Sequence, residues 1–175
     1  MMKRKNRQKG FTLAEALIAV LILLMVSAVV AAGVPAAKRA YEKVTVSANA
    51  QVLISTAASA LREELGTASD VEESGTGVKF YSSKTGSSAR IYTDGDGVIM
   101  LENYIGYDGE VPESTVRALV NKQTSTPDLC VTFEGIDVGE TAATVKDLHV
   151  TRESTGERVI SLEEYVIHFM ARSSY

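Results

Sequence analysis

The sequence predicts an α+β protein. One long N-terminal helix, transmembrane in its first half, carries an antiparallel β-sheet on its second half. Three observations lead there. Ala16 to Ala37 is a run of 22 residues without a charge. An apolar stripe at steps of three and four then continues toward Gly66. Beyond it, short alternating segments are separated by turns rich in Gly and Asp. The expected organisation is a basic leader at 1–10, a membrane half of the helix at 11–37, an amphipathic half at 38–66, and a β-rich domain at 67–175.

Charge divides the chain in the same way. Lys3, Arg4, Lys5, Arg7 and Lys9 crowd the first ten positions with no acid among them. From Lys38 onward there are 13 basic against 21 acidic residues, a balance of −8. An acidic body argues against nucleic acid as the main partner, because duplex binding rests on Lys and Arg neutralising phosphates. Cys130 is the sole cysteine, which excludes an intramolecular disulfide and a thiolate-only zinc site. His149 and His168 are the only histidines, too few for most metal centres.

About 20 apolar residues span the hydrocarbon core of a bilayer as a helix, so the uncharged run is long enough to cross. The basic cluster before it should stay cytoplasmic, which sends the acidic body outward. Lys38 and Arg39 follow the span and weaken that asymmetry without reversing it. A cleaved secretory signal, with Val30-Ala31-Ala32 at the cut, is the alternative. Its apolar region would run roughly 7–15 residues, shorter than this one, and Glu15 would interrupt it. A carboxylate at the bilayer centre costs roughly 2.5–3.5 kcal/mol, less towards an interface. A disposable signal has no use for that cost. Glu15 either snorkels to the interface or meets a cation.

Lys9-Gly10-Phe11-Thr12-Leu13-Ala14-Glu15 resembles the processing site of type IV pilins and type II secretion pseudopilins. The resemblance covers roughly the first third of the chain. It implies cleavage between Gly10 and Phe11 by a prepilin peptidase on the cytoplasmic side, N-methylation of Phe11, and assembly through Phe11 and Glu15. In that family the Glu meets the new amine of a neighbouring subunit. Elementary chemistry agrees. Cutting before Phe11 creates a cationic amine, and Glu15 lies one helical turn later on the same face. Opposite charges attract strongly in a layer of low dielectric, and a paired carboxylate is less costly than a lone one. The resemblance also implies a pilin-like fold. One departure is the C-terminal disulfide of many Gram-negative pilins, which a single cysteine cannot form within this chain.

Val46, Ala50, Leu53, Ala57 and Leu61 continue the helix beyond the membrane as one apolar face. Gly66 is its expected end, in the left-handed geometry that glycine accepts. Phe11 to Gly66 as one helix would measure about 84 Å. Gly33 and Pro35 interrupt it with an expected kink or weak point, since proline lacks the amide that would bond Ala31. A simple bend at the membrane exit is the equal alternative.

Thr67 to Thr76 is small, acidic and turn-prone, and is expected to be a linker. Val78–Ser82, Ala89–Thr93 and Val98–Tyr104 are predicted strands, joined by Lys84-Thr85-Gly86-Ser87 and Asp94-Gly95-Asp96-Gly97. Gly106 to Leu129 is a long connection with a short helix expected near Ser114–Asn121. Cys130–Phe133, Val145–Arg152 and Arg158–Phe169 complete the set, with Ser154-Thr155-Gly156 as a hairpin turn. Consecutive short strands favour an antiparallel sheet.

Weaker patterns stand beside these. Asp94-Gly95-Asp96-Gly97 resembles the start of a calcium loop, but the twelfth position, which should be Glu, is Ile105. The turn reading is preferred. The two histidines lack a placed carboxylate and read as structural. Cys130 reads as a small buried side chain, and Tyr81, Tyr92 and Tyr104 as sheet packing rather than a stacking surface. No catalytic residue, cofactor or metal is expected. The predicted function is a structural subunit of a type IV pilus or related pseudopilus, starting single-pass in the cytoplasmic membrane with its C-terminal domain outside. Its expected partners are other pilin or pseudopilin subunits, the prepilin peptidase, a membrane assembly platform and, before assembly, the lipid bilayer. The runner-up is a single-span anchored extracytoplasmic binding domain that never polymerises.

Overall fold

A computed structural model describes residues 12–105, 113–120 and 128–170. The expected leader, with Gly10 and Phe11, lies outside the described residues. Contacts divide the chain into two compact units with the boundary between Val44 and Thr45. Helix α1, Leu13–Leu65, is assigned without a break, including through Gly33 and Pro35.

Between Ala16 and Ala37 the helix is apolar on every side. Leu17, Ile18, Leu21, Leu24, Met25 and Val29 all face outward. A helix apolar all round belongs in lipid or inside a larger assembly, and this one is long and apolar enough to cross a membrane. Ser27 donates its hydroxyl to the Leu23 carbonyl at 2.8 Å, so the one hydroxyl of the run is satisfied within the helix.

In the second unit Ala50, Leu53, Ile54, Ala57, Ala58, Leu61 and Leu65 are buried along one face of α1. The helix does stop before Gly66, for a reason other than the expected one. Gly66 is not left-handed; a Cβ there would lie 2.6 Å from the Arg62 carbonyl oxygen.

Two antiparallel sheets follow, where one was expected. The first is a five-stranded meander of β1 (Ala68–Ser74), β2 (Gly77–Ser82), β3 (Ser87–Thr93), β4 (Ile99–Ile105) and β5 (Glu113–Ala118), in that spatial order. Its inward row is apolar: Val78 faces Ile91, Phe80 faces Ala89 and Ile91 faces Leu101 across the ladders, and all are buried. The second sheet holds β6 (Leu129–Thr132), β7 (Gly135–Val138), β8 (Ala142–Arg152) and β9 (Arg158–His168). β6 and β7 keep one register against β8, from Leu129 opposite Arg152 to Val138 opposite Ala143. They are two halves of one broken strand, and β9 covers the other edge of β8. The break lies opposite Asp147, whose φ of 46° moves the buried positions of β8 from Ala143 and Val145 to Leu148 and Val150. Asp147 is held by Arg158, whose Nη1 and Nη2 stand 3.1 and 2.8 Å from its two carboxylate oxygens. One apolar core joins the α1 face to both sheets.

Three expectations are corrected. The supposed linker contains β1, an edge strand held by its ladder to β2 and by the Val138 amide, which donates to Glu73 Oε1 at 3.0 Å. The short helix expected near Ser114–Asn121 is strand β5 as far as Ala118, and Asn121 itself lies outside the described residues. Every residue of β5 except Ala118 is exposed, so no apolar period marked it, and pairing with β4 decided its conformation. β7 was missed and β8 begins at Ala142, three residues earlier than expected, because a tight Gly139–Ala142 hydrogen bond of 2.9 Å makes one more hairpin.

Gly77 opens β2 where its missing side chain matters. A Cβ there would stand 1.9 Å from the Ile91 carbonyl oxygen and 2.9 Å from the Tyr92 Cα. Both are backbone atoms of the paired strand and cannot rotate away. Gly77→Ala is expected to lower stability by about 2–3 kcal/mol, read as a fall in melting temperature. Gly95→Ala, with nothing within 4 Å of its Cβ, should leave it unchanged; equal melting of the two variants would refute the clash.

Carboxylates tie the ends of these elements together. Lys84 Nζ, on the β2–β3 turn, donates to Glu63 at 2.8 Å and Glu64 at 3.3 Å at the end of α1. Asp128 accepts from the Ser154 hydroxyl at 2.8 Å and its amide at 2.9 Å, pinning the β8–β9 turn. The Ser154 bonds hold the Asp128 carboxyl below its ordinary range, and the Lys84 bond does the same for Glu63. Depressed carboxyls contribute stability above their unfolded range and lose it as the pH falls through their folded values. Melting temperature should therefore hold from neutrality down to roughly pH 4 and drop below it. Asp128→Asn should drop less steeply; an identical acid limb in that variant would show that Asp128 contributes nothing.

Candidate functional site

The first turn of α1 is built by four residues. Thr12 precedes the helix, and its hydroxyl oxygen accepts the Glu15 amide at 3.3 Å. Glu15 reaches back: its Oε2 accepts the Thr12 amide at 2.9 Å and the Thr12 hydroxyl at 3.0 Å. This is a reciprocal capping box, which satisfies two amides that the helix start would otherwise leave open. A negative charge in the first turn also complements the helix dipole. The Thr-x-x-Glu spacing was present in the sequence and was read only as part of the processing motif.

The cap has a chemical consequence. It uses one carboxylate oxygen, Oε2, and orients the group beside the first exposed amides. A cation arriving at the helix start meets a carboxylate whose rotamer is already set. Glu15 thus serves the start of its own helix, and the Thr12 bonds fix the position of its carboxylate.

The other singled-out residues fall elsewhere. Asp94 makes the β3–β4 turn: its Oδ1 accepts the amides of Asp96 at 3.0 Å and Val98 at 2.8 Å, and Gly97 takes φ 78°. These bonds occupy the carboxylate as a turn former, in line with the turn reading. His149 lies opposite Ser161 and His168 opposite Ala142, far apart along the β8–β9 ladder. His149 Nδ1 is 2.7 Å from the Asp147 carbonyl oxygen. Cys130 is buried, with its Sγ donating to the Gly97 carbonyl at 3.5 Å. Tyr81, Tyr92 and Tyr104 share the outward face of the first sheet. Tyr81 donates to the Gly86 carbonyl at 2.9 Å, Tyr104 to Glu102 at 3.0 Å, and the Arg90 guanidinium lies 4.9 Å from the Tyr92 ring centre. Sequence reasoning missed the Asp147–Arg158 pair, since its partners are 11 residues apart and meet only through the β8–β9 register.

Residues 5–31 match the model of the prokaryotic N-terminal methylation motif. That motif is the type IV pilin and pseudopilin signature, and it includes Gly10, Phe11, Thr12 and Glu15. One long N-terminal apolar helix followed by antiparallel sheet is a pilin-like α+β architecture. No curated protein and no solved structure matches the chain.

Proposed function

We propose that this chain is a structural subunit of a type IV pilus or related pseudopilus. The observation that carries the reading is Glu15: a carboxylate held by Thr12 at the start of an apolar helix, inside a methylation motif. In this reading the leader stays in the cytoplasm, the helix spans the cytoplasmic membrane, and residues 45–175 fold outside. A prepilin peptidase cuts between Gly10 and Phe11 and the new terminus is N-methylated. The amine of one subunit then pairs with Glu15 of the next, and a membrane assembly platform moves the subunits into the filament. Gly33 and Pro35 supply a point where the helix yields during that transfer. The chain works by assembly and contributes no catalysis of its own; the acidic body disfavours nucleic acid as a partner.

Mass spectrometry of the protein from its own cells tests this. The expected N-terminal peptide starts at Phe11 and carries one methyl group. An intact Met1 where the peptidase is active, or a terminus at Gly33, overturns it. Those results would indicate a plain single-span anchor or a secreted form.

A further inference from the structure

We propose that Lys38 to Val44 forms a collar for lipid headgroups, which sets the depth of the helix and holds Glu15 in the opposite headgroup layer before assembly. The inference rests on the membrane reading above and adds the register of insertion, along with the residues that set it. Val34, Ala37, Tyr41 and Val44 recur at steps of three and four and form one stripe of α1. It continues the apolar surface of the span without a gap. Tyr41 is 73% exposed and Val44 68%, so no described residue of their own unit covers them. Tyrosine with an apolar body and a polar tip is the side chain enriched at headgroup level.

Cations flank that stripe. Lys38 Nζ stands 3.7 Å from Glu42 Oε1, which offsets the single acid of the segment. Arg39 and Lys43, four residues apart, share the adjoining flank. Their long stems can lie along apolar surface while the charged ends reach lipid phosphates. The surface is thus both continuous with the membrane-spanning segment and complementary in charge to anionic headgroups.

Helix rise then fixes where Glu15 falls. Glu15 to Tyr41 is 26 steps, about 39 Å. The hydrocarbon core is only about 30 Å thick, and the bilayer with its headgroups about 40–45 Å. With Tyr41 in the outer headgroup layer, Glu15 sits in the inner one rather than in oil. Its carboxylate enters the apolar environment only when the subunit is drawn outward into the polymer, where the partner amine is available.

The chain contains no tryptophan, so single substitutions report depth without interference. Full chains carrying Leu13→Trp, Val26→Trp or Tyr41→Trp would be placed in vesicles of phosphatidylethanolamine and phosphatidylglycerol containing lipids brominated at defined depths. Leu13→Trp and Tyr41→Trp are expected to be quenched most by bromines near the headgroups, and Val26→Trp by bromines near the chain ends. Adding Lys38→Gln, Arg39→Gln and Lys43→Gln to Tyr41→Trp should release the tryptophan from its shallow position. Deep Val26→Trp with Tyr41→Trp in water overturns the collar alone. Deep quenching of Leu13→Trp overturns the register, and a triple substitution without effect overturns the role of the cations. If Val26→Trp is not deep, the membrane reading itself fails and the collar falls with it.

Discussion

Glu15→Gln is expected to remove the chain from filaments while leaving it in the membrane. Glutamine keeps the shape and an acceptor oxygen, and it serves at the third helical position of a capping box. The bonds from the Thr12 amide and hydroxyl therefore have an acceptor in the variant, and the helix start survives. Only the charge is lost. Removing one member of a buried pair costs about 3–5 kcal/mol, which is at least about a hundred-fold in subunit association. The sheared filament fraction should be empty of this subunit while the membrane fraction retains it. Thr12→Val is the complementary test, since it breaks the cap and keeps the charge. Its cost is about 1 kcal/mol of helix-end stability, and assembly should persist at a reduced level. Filaments of Glu15→Gln at the wild-type level would mean that the carboxylate has no docking role.

What the sequence made legible depended on whether the deciding interaction was local. The methylation motif, the apolar run and the Leu53–Leu61 stripe are periodic or contiguous, so they could be read directly. The turns at Gly86, Gly97 and Gly156 were visible for the same reason, and all three take positive φ. The errors fall where distant backbone decides. β1 and β5 are edge strands, β1 mostly polar and β5 exposed in all but Ala118; the ladders to β2 and β4 hold them. The split into two sheets was hidden as well. It follows from which edges pair, and the left-handed backbone of Asp147 gives no signal in the sequence. At the site, Thr12 and Glu15 are legible as part of one motif, but their reciprocal bonding depends on side-chain rotamers that the motif does not specify.

The two uses of α1 predict opposite outcomes for one substitution made at two places. Leu61 is fully buried, in the core that joins the helix to both sheets. Leu61→Ala removes its packing and leaves a cavity, at a cost of about 2–5 kcal/mol. For a unit of this size each kcal/mol moves the melting temperature by roughly 3–5 °C, so a fall of at least about 6 °C is expected in detergent micelles. Leu24 is 61% exposed, and Leu21, Leu23 and Met25 beside it are exposed as well rather than part of a core. Leu24→Ala should leave the same transition where it was. Val52, on the exposed side of the buried stretch at 53%, provides a nearer control: Val52→Ala should stay within about 0.5 kcal/mol. Cleavage is expected to proceed in Leu61→Ala and Val52→Ala, because the methylation motif ends at residue 31, before the folded unit begins at Thr45. A Leu61→Ala chain would then be trimmed and inserted normally, yet open to proteolysis outside the membrane. Unchanged melting of Leu61→Ala would mean that the sheets do not depend on this helix face for their core.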